Sequence, residues 1–190
     1  MRKRKSPAEI QMGTFIDPMT DFGFKRLFGS EPNKELLIDF LNNLFQDRKV
    51  ITDLEYNKQE HSGVLTNSRK MIFDLLCTGQ NGEKFIIEVQ RIPQEYFRDR
   101  AIYYSSRLIN DQAPRGDNWD YSLKEVYFIG IMDSVLEDAD ASEYIHYIRL
   151  AYEKSNQEFY KKLGYLFIEI PKFTKLETGL KNGVDMWLFV

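Results

Sequence analysis

The chain has 190 residues and a mass of 22.5 kDa, 43% hydrophobic and 14% aromatic, which suits one domain with a sizeable core and excludes wholesale disorder. With 26 basic against 29 acidic residues the net charge is −3, so this is not a strongly basic nucleic-acid coat protein, and any DNA binding relies on a local patch. The single cysteine, Cys77, excludes an intrachain disulfide framework and a cysteine zinc cluster, and no apolar run approaches the roughly 18–20 residues of a membrane span.

Residues 1–12 are polar and open with four consecutive basic residues at 2–5, with no apolar signal-peptide core behind them. They are expected to be a disordered, solvated tail, with a phosphate-touching arm as the alternative, and the protein is expected to be cytoplasmic. The segment Asp17-Pro-Met-Thr-Asp-Phe-Gly-Phe-Lys-Arg-Leu-Phe-Gly29 mixes turn formers with aromatics and reads as a compact loop and short helix pinned to the core. A helix is predicted over 33–45, from the apolar stripe of Leu36, Leu37, Phe40, Leu41, Leu44 and Phe45, with Ser30 and Pro32 just ahead of it.

Strands are predicted over 50–60, 70–78 and 83–90, with Gly79-Gln-Asn-Gly82 as a hairpin turn between the last two. A helix over 94–111 and a strand over 125–132 complete an α-β-β-β-α-β order. An acidic loop at 137–143 leads to two further strands near 144–152 and 165–170, with 156–163 between them and Pro171 ending the second. A single folded domain is assigned to 13–175. Residues 176–190, with the apolar Met186-Trp-Leu-Phe-Val190, are expected to begin a C-terminal segment that continues in a longer protein.

The hairpin carries the chemistry. Residues 72–77 are apolar on both alternating faces except for Asp74, and 85–90 except for Glu88 and Gln90. Two-faced apolar strands are covered on both sides, and an unpaired carboxylate there is costly or has its pKa forced upward. A three-residue turn with Gly82 left-handed sets Gly79 opposite Glu83, and hence Asp74 opposite Glu88 with Cβ atoms roughly 4.5–5.5 Å apart. Gln90 shares their face. Two such carboxylates need a shared proton, a buried Arg or Lys, or a divalent cation. Oxygen ligands suit Mg²⁺ or Mn²⁺, and such a metal supports phosphodiester hydrolysis.

Asp74, thirteen intervening residues and Glu88-Val-Gln90 resemble the Asp…(Asp/Glu)-x-Lys signature of the PD-(D/E)XK nuclease superfamily, whose core has the same α-β-β-β-α-β order. More specifically, the chain resembles the Rpn group of recombination-promoting nucleases and transposases over roughly residues 14–190. The opening block 17–29, Phe73-Asp74, Glu88-Val-Gln90, Arg100 with Tyr103-Tyr104, and Phe167-Ile-Glu-Ile-Pro-Lys-Phe173 carry that resemblance. It implies a restriction-endonuclease-like α/β fold, with a mixed central sheet flanked by helices. It also implies Asp74 and Glu88 as ligands of Mg²⁺ or Mn²⁺, and Gln90 at the usual lysine position, where an amide can orient a water but carries no charge.

Asp21 and Lys25, one helical turn apart, are read either as approaching this site or as a plain i,i+4 pair. Arg100, Tyr103, Tyr104 and Arg107 are spaced to touch phosphate and stack on bases, with core packing of the tyrosines as the alternative. His61 and His146 are isolated, and Cys77 is a small buried hydrophobe on the face opposite Asp74. The leading reading is a Mg²⁺-dependent DNA endonuclease associated with recombination or mobile elements. DNA is its expected partner, a homodimer is left open, and no membrane is involved. A catalytically silent DNA- or protein-binding module on the same fold is the alternative, and a glycosidase-like acid–base pair a weaker third.

Overall fold

The computed structural model describes residues 16–57, 60–61, 71–114 and 119–189, so the basic tail lies outside the described residues. The opening block folds as one capped unit ending in helix α1 (Asp21–Phe28). Thr20 Oγ1 accepts the Gly23 N–H at 3.0 Å, and the Gly29 N–H closes the other end on the Lys25 carbonyl at 2.8 Å. Gly23 is required here, because a Cβ would lie 1.9 Å from the Asp17 carbonyl oxygen.

Helix α2 (Lys34–Phe45) follows a 3-10 turn at Glu31–Asn33 that carries Pro32; Ser30 heads that turn without a side-chain capping bond. The helix buries Leu37, Ile38, Phe40, Leu41, Leu44 and Phe45, while Leu36, expected inside, is 41% exposed. The 3.6-residue period centres the stripe on Leu37 and Leu41, which brings Ile38 in and turns Leu36 out.

Among the described residues, six strands form a mixed sheet in the order β1 (Leu54–Tyr56), β4 (Leu75–Gly79), β5 (Lys84–Gln90), β6 (Val126–Met132), β8 (Glu158–Glu169) and β7 (Ile145–Ala151). The β5–β6 and β6–β8 neighbours are parallel and the others antiparallel. Helix α3 (Phe97–Asn110) is the crossover that a parallel β5–β6 pair needs. Short strands β2 (Glu60–His61) and β3 (Met71–Ile72) pair separately as a ribbon.

Four expected boundaries are corrected. The 70–78 run is two strands interrupted at residues 73–74. The 156–163 connection is instead the first half of β8, reached by a tight turn in which Asn156 adopts φ +53°. Its first residues are largely exposed, so no apolar run announces them. The helix expected from 94 begins at Phe97, and the 50–60 strand shortens to β1 and β2.

The sheet separates two cores. Leu75, Cys77, Phe85, Ile87, Ile129, Leu166 and Ile168 pack with α1 and α2, whereas Leu76, Ile86, Val126, Phe128, Met132 and Phe167 pack with α3. The apolar C-terminal stretch forms α4 (Gly183–Phe189), which returns to the first face. Trp187 packs against the Phe28 and Phe40 rings and donates its indole N–H to Asp39 Oδ2 at 2.8 Å. No helix among the described residues is long and apolar enough to cross a membrane.

Candidate active site

The β4–β5 hairpin has the expected register. The Gly79 N–H donates to the Glu83 carbonyl and the Gly82 N–H to the Gly79 carbonyl, both at 2.9 Å, with Gly82 at φ +87°. Pairing runs down to Leu75 opposite Ile87, so the next position sets Asp74 opposite Glu88. Alternation from Gly79–Glu83 makes this a non-hydrogen-bonded position, where facing side chains come closest. Asp74 shares the face of Leu76, and Glu88 and Gln90 that of Ile86, all toward α3.

Here side chains replace the ladder. The Asp74 N–H donates to Glu88 Oε1 at 3.3 Å, and the Val89 N–H donates to Asp74 Oδ2 at 2.7 Å. In a continuing antiparallel ladder the Val89 N–H would go to the strand opposite; the Asp74 carboxylate takes it, and the chain bends there. This is the physical reason for the interruption between β3 and β4.

The two carboxylates are electrostatically strained. Glu88 is 3% exposed and Asp74 is half-buried. Burial raises the pKa of both; for Glu88 the neighbouring Asp74 charge adds to it, pushing the group to about 8 despite Arg100 and Lys25. Arg100 Nη2 lies 3.1 Å from Glu88 Oε2, and the guanidinium lies 5.2 Å from the Phe97 ring centre and 5.9 Å from that of Tyr104. The contact lacks hydrogen-bond alignment: Arg100 Nε and Nη2 are buried with no hydrogen-bond partner among the described residues. The structural alternative, a carboxylate beside a cation, is thus present for Glu88 but leaves both groups incompletely satisfied.

Gln90 is buried on the same face and donates Nε2 to the Val89 carbonyl at 2.9 Å. Asp21 and Lys25 make the plain i,i+4 ion pair at 2.5 Å, yet both exert charge on Asp74, and Lys25 on Glu88. Tyr104 packs its ring on Phe73 and directs its hydroxyl to the Ile72 carbonyl at 3.4 Å, while Tyr103 is 42% exposed. Cys77 is buried in the opposite core. The His61 side chain lies outside the described residues.

His146 is not isolated: its Nε2 lies 3.1 Å from Oε1 of Glu169, a fully buried carboxylate whose Oε2 lies 2.6 Å from Lys172 Nζ. Sequence reading missed Glu169, although the criterion that singled out Asp74, a charge inside an apolar strand, applies to Phe167-Ile-Glu-Ile170 as well. It shares a row with Met132 and Gln90 across the parallel strands. Among the described residues no three His, Cys, Asp or Glu side chains converge as a ready-made metal cage. The candidate site therefore rests on two carboxylates, one amide and the cations around them.

The model of one family, described as PD-(D/E)XK nuclease family transposase, matches residues 18–190. No curated protein matches the chain, and no solved structure does. With the mixed sheet, its flanking helices and nearly the whole length matched, the chain belongs to the PD-(D/E)XK nuclease family transposases.

Proposed function

We propose that the protein is a Mg²⁺- or Mn²⁺-dependent DNA endonuclease acting in recombination or element mobility, with Asp74, Glu88 and Gln90 as its catalytic set. The observation that carries this reading is the buried, mutually repelling Asp74–Glu88 pair, which has one incompletely aligned cation beside it. Such a pair fits a small divalent cation, which is typically held by one or two carboxylates, waters and substrate phosphate. Asp74 and Glu88 would hold the ion. When bound, it supplies charge to the phosphoryl oxygens and a water of lowered pKa.

The chain's own groups do the rest. The Gln90 amide, on the same face as Glu88, orients the attacking water without adding charge. Lys25 and Arg100 lie where they offset phosphate charge, with Asp21 holding Lys25 and Tyr104 flanking Arg100. An amide in the lysine position favours one second reading, a silent DNA-binding module on the same fold.

Plasmid nicking with and without Mg²⁺ separates the two. The wild type is expected to nick only with Mg²⁺, and Asp74→Ala to lower the rate by about a thousandfold or more while remaining folded. DNA binding with no metal-dependent nicking in the wild type would establish the silent module instead.

A further inference from the structure

We propose that Arg100 is a built-in counter-ion: it stands beside Glu88 while no divalent cation is bound, and moves onto a substrate phosphate once one is. The inference rests on the nuclease reading above and assigns this arginine a two-position role.

The geometry is that of a placeholder. Arg100 Nη2 is close enough to Glu88 Oε2, at 3.1 Å, for strong attraction, yet it is not aligned to donate a hydrogen bond. An arginine committed to a structural ion pair normally uses its fork bidentately, as Arg98 does toward both Asp138 oxygens at 2.7 and 2.5 Å. Arg100 instead keeps Nε and Nη2 buried and, among the described residues, unsatisfied, a cost that persists only where something else offsets it. The Phe97 and Tyr104 rings hold the guanidinium through its charge without consuming its N–H donors.

Charge counting points the same way. Asp74 and Glu88 carry two negative charges when ionised, and Arg100 cancels one. A divalent cation at the pair cancels both, leaving the Arg100 charge surplus beside Glu88. A phosphodiester brings one negative charge and planar pairs of acceptor oxygens, the group that an unused guanidinium fork matches best. The short side-chain movement from carboxylate to phosphate couples metal arrival to substrate grip.

Mn²⁺ titrations of the DNA-free protein, followed by calorimetry, test this. Arg100→Met keeps the apolar stem and removes the competing charge, so it is expected to bind Mn²⁺ about tenfold more tightly than wild type. Its affinity for uncleaved DNA in Ca²⁺ is expected to fall by a similar factor. Asp74→Asn serves as the control and should lose Mn²⁺ binding in either background. If Asp74-dependent Mn²⁺ binding is present but Arg100→Met binds no tighter, the placeholder is overturned and the nuclease reading stands. If neither protein binds Mn²⁺, both fall. Should Arg100→Met not fold, the Arg100 Nε–H resonance of the wild type, assigned through Arg100→Lys, gives the answer during a Mg²⁺ titration. It should shift and saturate with the metal, and an unmoved signal overturns the proposal.

Discussion

Two glutamates on one stretch of chain, Glu83 and Glu88, are each 3% exposed and five residues apart, yet their protonation is pushed in opposite directions. Burial works against the charge of Glu83, but Lys49 Nζ at 2.8 Å, the Asn81 N–H at 2.9 Å and Asn81 Nδ2 at 3.1 Å outweigh it and hold the carboxyl at about 2. Glu88 has a peptide N–H at 3.3 Å, a misaligned arginine and a second carboxylate, and sits at about 8. Burial alone therefore does not mark function. A buried carboxylate whose surroundings already satisfy it is architecture, and one whose surroundings leave its charge uncompensated is where a ligand belongs.

The largest effect should come from the satisfied end. Glu83→Ala removes one of the two carboxylates on Lys49 (Glu125 is the other) and the acceptor of both Asn81 donors, and is expected to cost about 3 kcal/mol in denaturant unfolding, whereas Asp74→Ala should stay within about 1 kcal/mol of wild type. In Asp74→Ala the lost Val89 N–H acceptor is set against relief of Glu88. Equal losses at both ends would erase the distinction.

The second effect is on pH. Folding raises the Glu88 pKa from the ordinary 4.5 to about 8, so the folded state binds the extra proton between those values. In chelator, this group's contribution is full below pH 4.5 and is lost as pH rises toward 8, with a slope of at most about 1.4 kcal/mol per pH unit. Glu83 has the opposite sign: its folded pKa is lowered, so its contribution is present above the ordinary carboxylate value and is lost as pH falls toward about 2. Thermal melts of wild type and Glu88→Gln across pH 5–9, which runs about one unit past the upper end of the window, check this; Glu88→Gln should flatten the alkaline limb only.

The smallest effect sharpens the contrast. Mg²⁺ at about ten times its dissociation constant should stabilise the wild type by about 1.4 kcal/mol, leave Asp74→Ala unmoved, and act on Glu83→Ala as on wild type. A shift that survives Asp74→Ala would place the ion elsewhere.

Much of this was legible in the sequence, for identifiable reasons. Strands β5 and β6 declare themselves because both their faces are apolar, and Gly82 fixes the hairpin count that sets Asp74 opposite Glu88. What stayed hidden depends on contacts between distant residues. The break before Leu75 exists because Asp74 captures a donor fifteen residues ahead. The approach of Arg100 to Glu88 depends on where the crossover helix settles over the sheet. The first half of β8 was invisible because its side chains face water beside β7 and follow no apolar alternation. Glu169, by contrast, was readable with a rule already in use.

Among the described residues the open sheet has two outer strands, and each is poorly suited to templating another chain. β1 spans three residues, Leu54–Tyr56, and β7 loses register twice over residues 149–151. Short and irregular edges are how β-proteins avoid zipping together into continuous sheets, which exposed apolar side chains such as Ile148 and Leu150 would otherwise encourage. Strand-to-strand joining of copies of this protein is thereby disfavoured at both of these edges.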